Sequence, residues 1–208
     1  MRVAISILVT AAVAITPASA SGAAGGHCSR RRSVTVRADA GGRIFRVNRD
    51  GFDEYYGCLY SKGIPWSIGD DDGGPFDEVD GVKLASPYAV IAQGFGSGDS
   101  GVFDDLNRVD LRNGHEVQLD EFGVPAGGCC PGSSFFLNEV LVTHFGAVAW
   151  LLASADPPPQ PNLVRKHDHT GPATLDSGMV REHSLGLSHT GRTLYWTNGS
   201  QRRSAPLR

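Results

Sequence analysis

Short segments with alternating apolar and polar residues follow one another along most of this chain. Residues 43–47 alternate as a half-buried strand does. Val109 and Leu111 lead into Asn113-Gly114, a dipeptide typical of hairpin turns because both residues tolerate positive φ. After the N-terminal apolar run, no window of a dozen residues sustains the 3.6-residue apolar period of a helix. The pattern predicts an all-β protein built from antiparallel sheets.

The segments also repeat. At a constant spacing of 45 residues, Val140, Val142, His144 and Gly146 correspond to Leu185, Leu187, His189 and Gly191. Hairpin positions repeat as well, since Leu175-Asp176 corresponds to Leu119-Asp120. The predicted unit is a pair of strands, a variable loop and a hairpin, which is near the length of a propeller blade. The chain has room for about four propeller-like units, the last truncated to one hairpin around Asn198-Gly199. A β-sandwich with generic turn similarities is the alternative.

Three motifs carry a resemblance to known proteins. They are Tyr-Gly-Cys-Leu at 56–59, His-Phe-Gly-Ala-Val-Ala-Trp at 144–150 and Thr-Leu-Tyr-Trp-Thr at 193–197. Over most of residues 33–207 the chain resembles uncharacterised secreted proteins of high-G+C bacteria with propeller-like repeats. The resemblance implies a propeller-like fold and no particular activity.

The N-terminus has the pattern of a secretory signal peptide. Arg2 precedes a thirteen-residue apolar run at 3–15, and Ala18-Ser19-Ala20 has the small-x-small pattern of a cleavage site. The run is short for a membrane span, and His27 rather than a small residue precedes Cys28, which argues against a lipid anchor. We expect cleavage after Ala20 and secretion. A flexible segment at 21–32 and a single propeller-like domain at 33–208 would follow.

Composition restricts the partners. The chain has 19 basic and 22 acidic residues, a formal net charge of −3. No global field therefore favours nucleic acid or an anionic membrane surface. With no further apolar stretch long enough to span a membrane, we expect an extracellular protein or glycan as partner.

All four cysteines follow the predicted signal peptide, and in an oxidising compartment we expect them to form disulfides. Cys28, Cys58, Cys129 and Cys130 allow three connectivities. One pairs the neighbours Cys129 and Cys130, and the other two tie both of them to Cys28 and Cys58. The cross-links are favoured, because adjacent cysteines rarely reach disulfide geometry without strain.

The stretch Gly-Ser-Gly-Asp-Ser-Gly at 96–101 has three interpretations. It matches G-x-G-x-x-G, with Asp120 downstream, but no helical pattern follows it as a dinucleotide site requires. Its last four residues resemble the nucleophile motif of trypsin-like serine proteases. Val102 stands where a further glycine belongs, and His27 is the only earlier histidine. A glycine-rich loop joining two strands of one blade is the favoured interpretation.

Other polar clusters suggest metal sites without completing one. Asp70-Asp71-Asp72 and the acidic residues at 77–80 could attract calcium, but the EF-hand spacing fails at Gly74. His167 and His169 could share a strand face, yet no further zinc ligands are identifiable. A solvated acidic loop and a polar hairpin tip are the favoured interpretations.

The remaining features favour structural roles. His144 and His189 occupy equivalent turns, which indicates a repeated turn role such as bonding a backbone group. The three tryptophans lie at the ends of matched strands, which favours core packing. The proline-rich stretch Pro157–Pro161 indicates a loop within a blade.

The sequence therefore predicts a secreted, non-catalytic binding or scaffold protein with no cofactor and no assigned catalytic or metal-binding residue. The alternative is a secreted serine-type hydrolase that uses Ser100.

Overall fold

The structure is a computed structural model, and it describes residues 28–71, 79–97, 101–125, 134–154 and 161–208. Within these ranges the chain forms fifteen β-strands and no helix. No helix of this part is long and apolar enough to cross a membrane. The predicted signal peptide and its cleavage site lie outside the described residues.

The strands form four antiparallel sheets, each a meander in chain order. The first sheet contains β1 (Ser33–Ala38), β2 (Gly42–Arg49), β3 (Phe52–Leu59) and β4 (Pro65–Asp71). The second contains β5 (Val79–Ala85), β6 (Tyr88–Ser97), β7 (Gly101–Asp110) and β8 (His115–Pro125). The third contains β9 (Phe135–Val142), β10 (Val148–Ser154), β11 (Asn162–Asp168) and β12 (Gly171–Gly178). The fourth contains β13 (Gly186–Leu187), β14 (Thr193–Asn198) and β15 (Gln201–Pro206).

Three apolar layers join successive sheets. Ile44 of the first sheet packs with Ile91 and Leu111 of the second. On the opposite face of the second sheet, Val90 packs with Trp150 of the third. Because alternate residues of a strand point to opposite faces, the neighbouring residues Val90 and Ile91 pack in different apolar layers. The two middle sheets are therefore buried on both faces, which explains the almost continuous burial along β10.

The first strands of the first three sheets are neighbours, as they are in a propeller. β1 contacts β5, and β5 contacts β9. Side chains between stacked sheets thus form the apolar layers, while β1, β5 and β9 lie next to one another. The predicted all-β, propeller-like arrangement of about four units is confirmed, and the single β-sandwich is wrong because four separate sheets are present.

The fourth unit differs from the prediction of a single hairpin. β13 pairs with β14 through Gly186 opposite Tyr195 and Leu187 opposite Leu194, which gives this sheet three strands. The extra strand has only two residues, too few to show an alternating pattern. In the other sheets, the variable loop of the predicted unit connects the second strand to the third.

A polar contact is repeated between sheets, and we call it the Asp–Trp–Arg contact. Asp120 of β8 accepts a hydrogen bond from Trp150 Nε1 at 2.7 Å and another from Arg165 Nη1 at 2.7 Å. Trp150 and Arg165 lie opposite each other on β10 and β11. One carboxylate of the second sheet therefore holds two strands of the third. Asp120, the acidic residue of the dinucleotide pattern, has this structural role instead.

The same contact joins the third sheet to the fourth. Asp176 of β12 accepts hydrogen bonds from Trp196 Nε1 at 2.5 Å and Arg203 Nη1 at 2.7 Å. Trp196 and Arg203 are again cross-strand partners, on β14 and β15. Core packing of these two tryptophans is confirmed by their burial. Sequence reasoning missed that each indole N–H also needs an acceptor, which the preceding sheet supplies.

The disulfide connects Cys28 to Cys58, with a Cα–Cα distance of 5.6 Å, so the favoured cross-links to Cys129 and Cys130 are wrong. Arg43, which pairs with Cys58 across β2 and β3, donates hydrogen bonds of 3.0 and 2.7 Å to the Cys28 carbonyl. That contact holds the segment before β1 over Cys58. Cys129 and Cys130 lie outside the described residues. Of the segment predicted to be flexible, Cys28 is buried and covalently anchored.

The predicted Asn113-Gly114 turn joins β7 to β8, and Gly114 has φ +74°. A Cβ at Gly114 would lie 2.3 Å from Trp66 Cε3. We expect Gly114→Ala to lower the free energy of unfolding by about 2–4 kcal/mol, through backbone strain and steric overlap. Gly199→Ala is the control, since Gly199 has φ +58° but nothing within 4 Å of the added Cβ. Urea denaturation of both variants checks this; equal losses would show that Trp66 does not restrict the turn.

Candidate functional site

The turns between first and second strands, and between third and fourth strands, lie at one end of each sheet because successive strands are antiparallel. We call this end the turn face. Two cavities open here, each lined by turns of several sheets. Residues 72–78, 98–100, 126–133 and 155–160, which include Cys129-Cys130 and most of the Pro-rich segment, lie outside the described part of the chain.

The larger cavity, which we call the turn-face cavity, has a volume of about 710 Å³. Three consecutive sheets supply its walls. The lining residues are Tyr88 and Arg108 of the second sheet, Phe145, Gly146, Ala147, His167, Asp168 and His169 of the third sheet and its turns, and Arg192, Pro206, Leu207 and Arg208 of the fourth sheet and the residues next to it. This volume and its mixed apolar and polar lining are typical of small-molecule sites.

One wall is built around the turn between β9 and β10. Gly146 has φ +89°, and a Cβ there would lie 2.8 Å from the Tyr88 ring. The glycine therefore lets the turn lie directly against the aromatic ring. Arg108 Nη1 donates a 2.5 Å hydrogen bond to the Gly146 carbonyl. The guanidinium of Arg192 lies over the neighbouring Phe145 ring, 5.7 Å from its centre.

The carboxylate of Asp168 anchors the opposite wall. Its two oxygens accept hydrogen bonds from Lys166 Nζ at 2.7 Å, from the Thr170 N–H and hydroxyl at 2.8 and 2.5 Å, and from the Arg208 N–H at 2.9 Å. Burial alone raises the pKa of Asp168, but these hydrogen bonds outweigh it and hold the pKa well below its ordinary value. This carboxylate is therefore ionised, and the protein already satisfies it.

His167 borders the same cavity next to Asp168. Burial lowers its pKa, and the nearby Arg108 lowers it further, against the opposing charge of Asp168. Its Nδ1 is buried and forms no hydrogen bond within the described part of the protein. The site thus favours neutral imidazole here. His169 is exposed at the rim. The predicted hairpin tip is confirmed, since these residues lie where β11 turns into β12.

Acid should weaken the fold through two buried aspartates. The pKa values of Asp168 and Asp176 are lowered in the folded protein, so their contribution is complete above the unfolded carboxyl pKa of about 4. It is lost as the pH falls through the folded values. We expect the free energy of unfolding to fall below pH 4, and to fall less steeply in Asp168→Asn. Urea denaturation between pH 7 and pH 2 measures both slopes; identical slopes would contradict the role of Asp168.

The second cavity, about 350 Å³, lies where turns of all four sheets converge. The carboxylate of Asp39 accepts four hydrogen bonds, from the N–H groups of Gly41, Gly42 and Ser86 and from the Ser86 hydroxyl, at 2.7–2.9 Å. Although burial raises the pKa of Asp39, these bonds lower it overall. The second cavity therefore holds a carboxylate whose acceptor capacity is used within the protein.

The predicted turn role of His144 and His189 is wrong, because both side chains are exposed and no hydrogen bond of either imidazole is found within the described residues. The preceding hydroxyl residue closes each turn instead. Thr143 Oγ1 accepts the Ala147 N–H at 3.0 Å, and Ser188 Oγ accepts the Thr193 N–H at 3.1 Å. Since the hydroxyl residue and the histidine repeat together, the sequence pattern did not separate their roles.

The glycine-rich stretch is a connection between antiparallel strands, as predicted. Ser97 at the end of β6 pairs with Gly101 at the start of β7. The segment after Gly101 is a strand, so the helix of a dinucleotide site is absent at that place. Ser100 lies outside the described residues, as do residues 72–78 of the acidic segment. Asp70 and Asp71 belong to β4 rather than to a loop, and Asp70 accepts a 2.9 Å hydrogen bond from Gln93. No cluster of three or more metal-ligating side chains exists among the described residues.

Sequence reasoning did not single out Arg108 and Arg192, the two arginines that flank the Phe145-Gly146 turn. The repeated turns in the sequence could have indicated them. Equivalent turns lie on the same turn face, so arginines next to such turns are expected to lie close together. No local motif marks either residue.

Comparisons with known proteins add little to this description. No family model matches the chain, and no curated protein matches it. Among solved structures, the chain is similar to a protein from Lactobacillus plantarum, a structural genomics target, with 10% identity and a TM-score of 0.40. The match covers 84% of this chain and 51% of that protein, so the chain spans about half of its length.

Proposed function

We propose that this is a secreted, non-catalytic binding protein whose ligand enters the turn-face cavity. The observation that carries the proposal is a cavity of about 710 Å³ lined by turns of three sheets. Cavities of this size bury most of the surface of a small ligand or of a terminal unit of a polymer. Stacked sheets give such a site rigid walls, because each turn is fixed by the strands on either side.

The Cys28–Cys58 disulfide supports an extracellular location, since disulfides persist in oxidising compartments. The signal-like N-terminus supports secretion. Within the described residues, the carboxylates of both turn-face cavities are held in structural hydrogen bonds. They are poorly suited to act as general bases, which favours binding over catalysis.

A ligand screen with a blocked variant tests the proposal. The purified protein is applied to an array of small saccharides, sugar acids and short peptides, alongside His169→Trp, which places a large ring at the exposed cavity rim. Gln201→Trp is the control, since Gln201 is exposed at the start of β15, outside the cavity lining. We expect a ligand that binds the wild type and the control, and that His169→Trp binds at least tenfold more weakly, because the added ring fills the entrance. A ligand equally bound by all three proteins, or none at all, would contradict the proposal.

The hydrolase alternative has its own direct test. A serine activated by a neighbouring base reacts with a fluorophosphonate probe, whereas an ordinary loop serine does not. We expect no labelling of the wild-type protein. Stoichiometric labelling that is lost in Ser100→Ala would replace the binding function with hydrolysis.

A further inference from the structure

We propose that the ligand of the turn-face cavity is a small sugar acid, whose carboxylate is bound between the guanidinium groups of Arg108 and Arg192. This inference rests on the proposed function and names the ligand class of the same site.

Both arginines are positioned by consecutive residues of one turn. Arg108 is fixed by its hydrogen bond to the Gly146 carbonyl and lies 5.7 Å from the centre of the Tyr88 ring. Arg192 lies over the ring of Phe145, the preceding residue. The two guanidinium groups therefore flank a single turn and line the same cavity. Contacts of this kind orient a guanidinium while leaving most of its five N–H groups free.

Among the described residues, neither Arg108 nor Arg192 forms an ion pair, whereas Arg165 and Arg203 each bind an aspartate. The one carboxylate side chain in the cavity lining, Asp168, is fully buried and paired with Lys166. Arg208 also lines the cavity, and its N–H binds Asp168. The side chains that line the cavity therefore carry a net positive charge.

The planar guanidinium favours a ligand with a carboxylate, to which it can donate two parallel hydrogen bonds. The same cavity is also lined by the aromatic residues Tyr88 and Phe145 and by Gly146 and Ala147 of the β9–β10 turn. Rings and peptide groups together suit a compact body with both apolar and hydroxyl-bearing faces. A sugar acid has this combination, and one or two sugar units fit a cavity of about 710 Å³. An acidic peptide is the competing ligand that the experiment must distinguish.

Binding of defined probes tests the inference. Isothermal titration compares digalacturonate, neutral digalactose and the dipeptide Glu-Glu. The proteins are the wild type, Arg192→Gln, Arg108→Gln and a control, Arg202→Gln. Arg202 is a matched control because it also lies over an aromatic ring, 4.9 Å from the centre of Tyr195, but outside the cavity lining. We expect binding of digalacturonate alone, weakened about 10- to 100-fold by either cavity variant and unchanged in the control. Arg192→Lys should recover part of the affinity, because it retains the charge without the planar fork.

The outcomes separate this inference from the proposed function. One outcome is that a neutral saccharide binds with an affinity that His169→Trp lowers and that neither arginine variant changes. In that case the cavity is a binding site, but the sugar-acid inference fails. Preference for Glu-Glu with the same arginine dependence also overturns it in favour of an acidic peptide. If no probe binds and the array finds no ligand blocked by His169→Trp, the proposed function fails as well. Thermal denaturation of each variant confirms that the folded protein was compared.

Discussion

Replacing Asp176 with alanine should lower the free energy of unfolding by about 2–4 kcal/mol, one of the two largest single-residue effects expected in this protein. The side chain of Asp176 is 5% exposed, and its carboxylate binds Trp196, Arg203 and Asn198. Removing it leaves a buried indole N–H without an acceptor and separates the third sheet from the fourth. A chain of this length should lose about 5–15 °C in Tm, measured by calorimetry.

Two further variants make this prediction specific. Asp120→Ala removes the equivalent carboxylate between the second and third sheets, and we expect a loss of similar size. Asp53→Ala breaks an ion pair with Arg46, whose side chain is 46% exposed, and should cost less than about 1 kcal/mol. A loss for Asp176→Ala no larger than that for Asp53→Ala would show that the repeated contact does not hold the sheets together.

Loss of the Cys28–Cys58 disulfide should lower the free energy of unfolding by about as much as Asp176→Ala. The bond closes a loop with a sequence separation of 30 residues, for which loop-closure entropy gives about 3–4 kcal/mol. Both cysteines are buried, so Cys28→Ala/Cys58→Ala, with two apolar side chains, is a better test than serine replacements. Urea denaturation should show the lower free energy of unfolding for this variant.

The control for this measurement is the reduced wild-type protein, which retains both sulfur atoms but loses the cross-link. We expect the reduced protein and the double variant to be destabilised to a similar extent. If the double variant is as stable as the oxidised wild type, the bond does not anchor the segment before β1. Peptide mapping without reduction should recover Cys28 and Cys58 in one linked fragment.

The fold was largely predictable because its information is local and repeated. Alternating side chains report which face of a strand is buried, and glycine at turn positions reports where strands reverse. Leu119-Asp120 and Leu175-Asp176 were matched as repeats from the sequence, and the structure shows why both pairs exist. The leucine of each pair packs in an apolar layer, and the aspartate binds the next sheet's tryptophan.

The remaining features depend on distances between residues far apart in the chain. The pairing of Cys28 with Cys58 depends on how the segment before β1 crosses β3, which no alternating pattern encodes. The turn-face cavity likewise requires residues from three sheets, from Tyr88 to Arg208 in the chain. Sequence alone placed His167 and His169 on a hairpin tip, but it could not place Arg108 and Arg192 beside the same turn.

Nuclear magnetic resonance of the isotopically labelled protein is the most direct test of the turn-face cavity as the binding site. During titration with digalacturonate, we expect the amide signals of Tyr88, Gly146, His169 and Arg192 to shift together, along with the side-chain Nε–H signals of Arg108 and Arg192. Amides of β15 residues 201–204, outside the cavity lining, should remain unchanged. Shifts confined to other surfaces, with the cavity signals unmoved at saturating ligand, would contradict the proposed site.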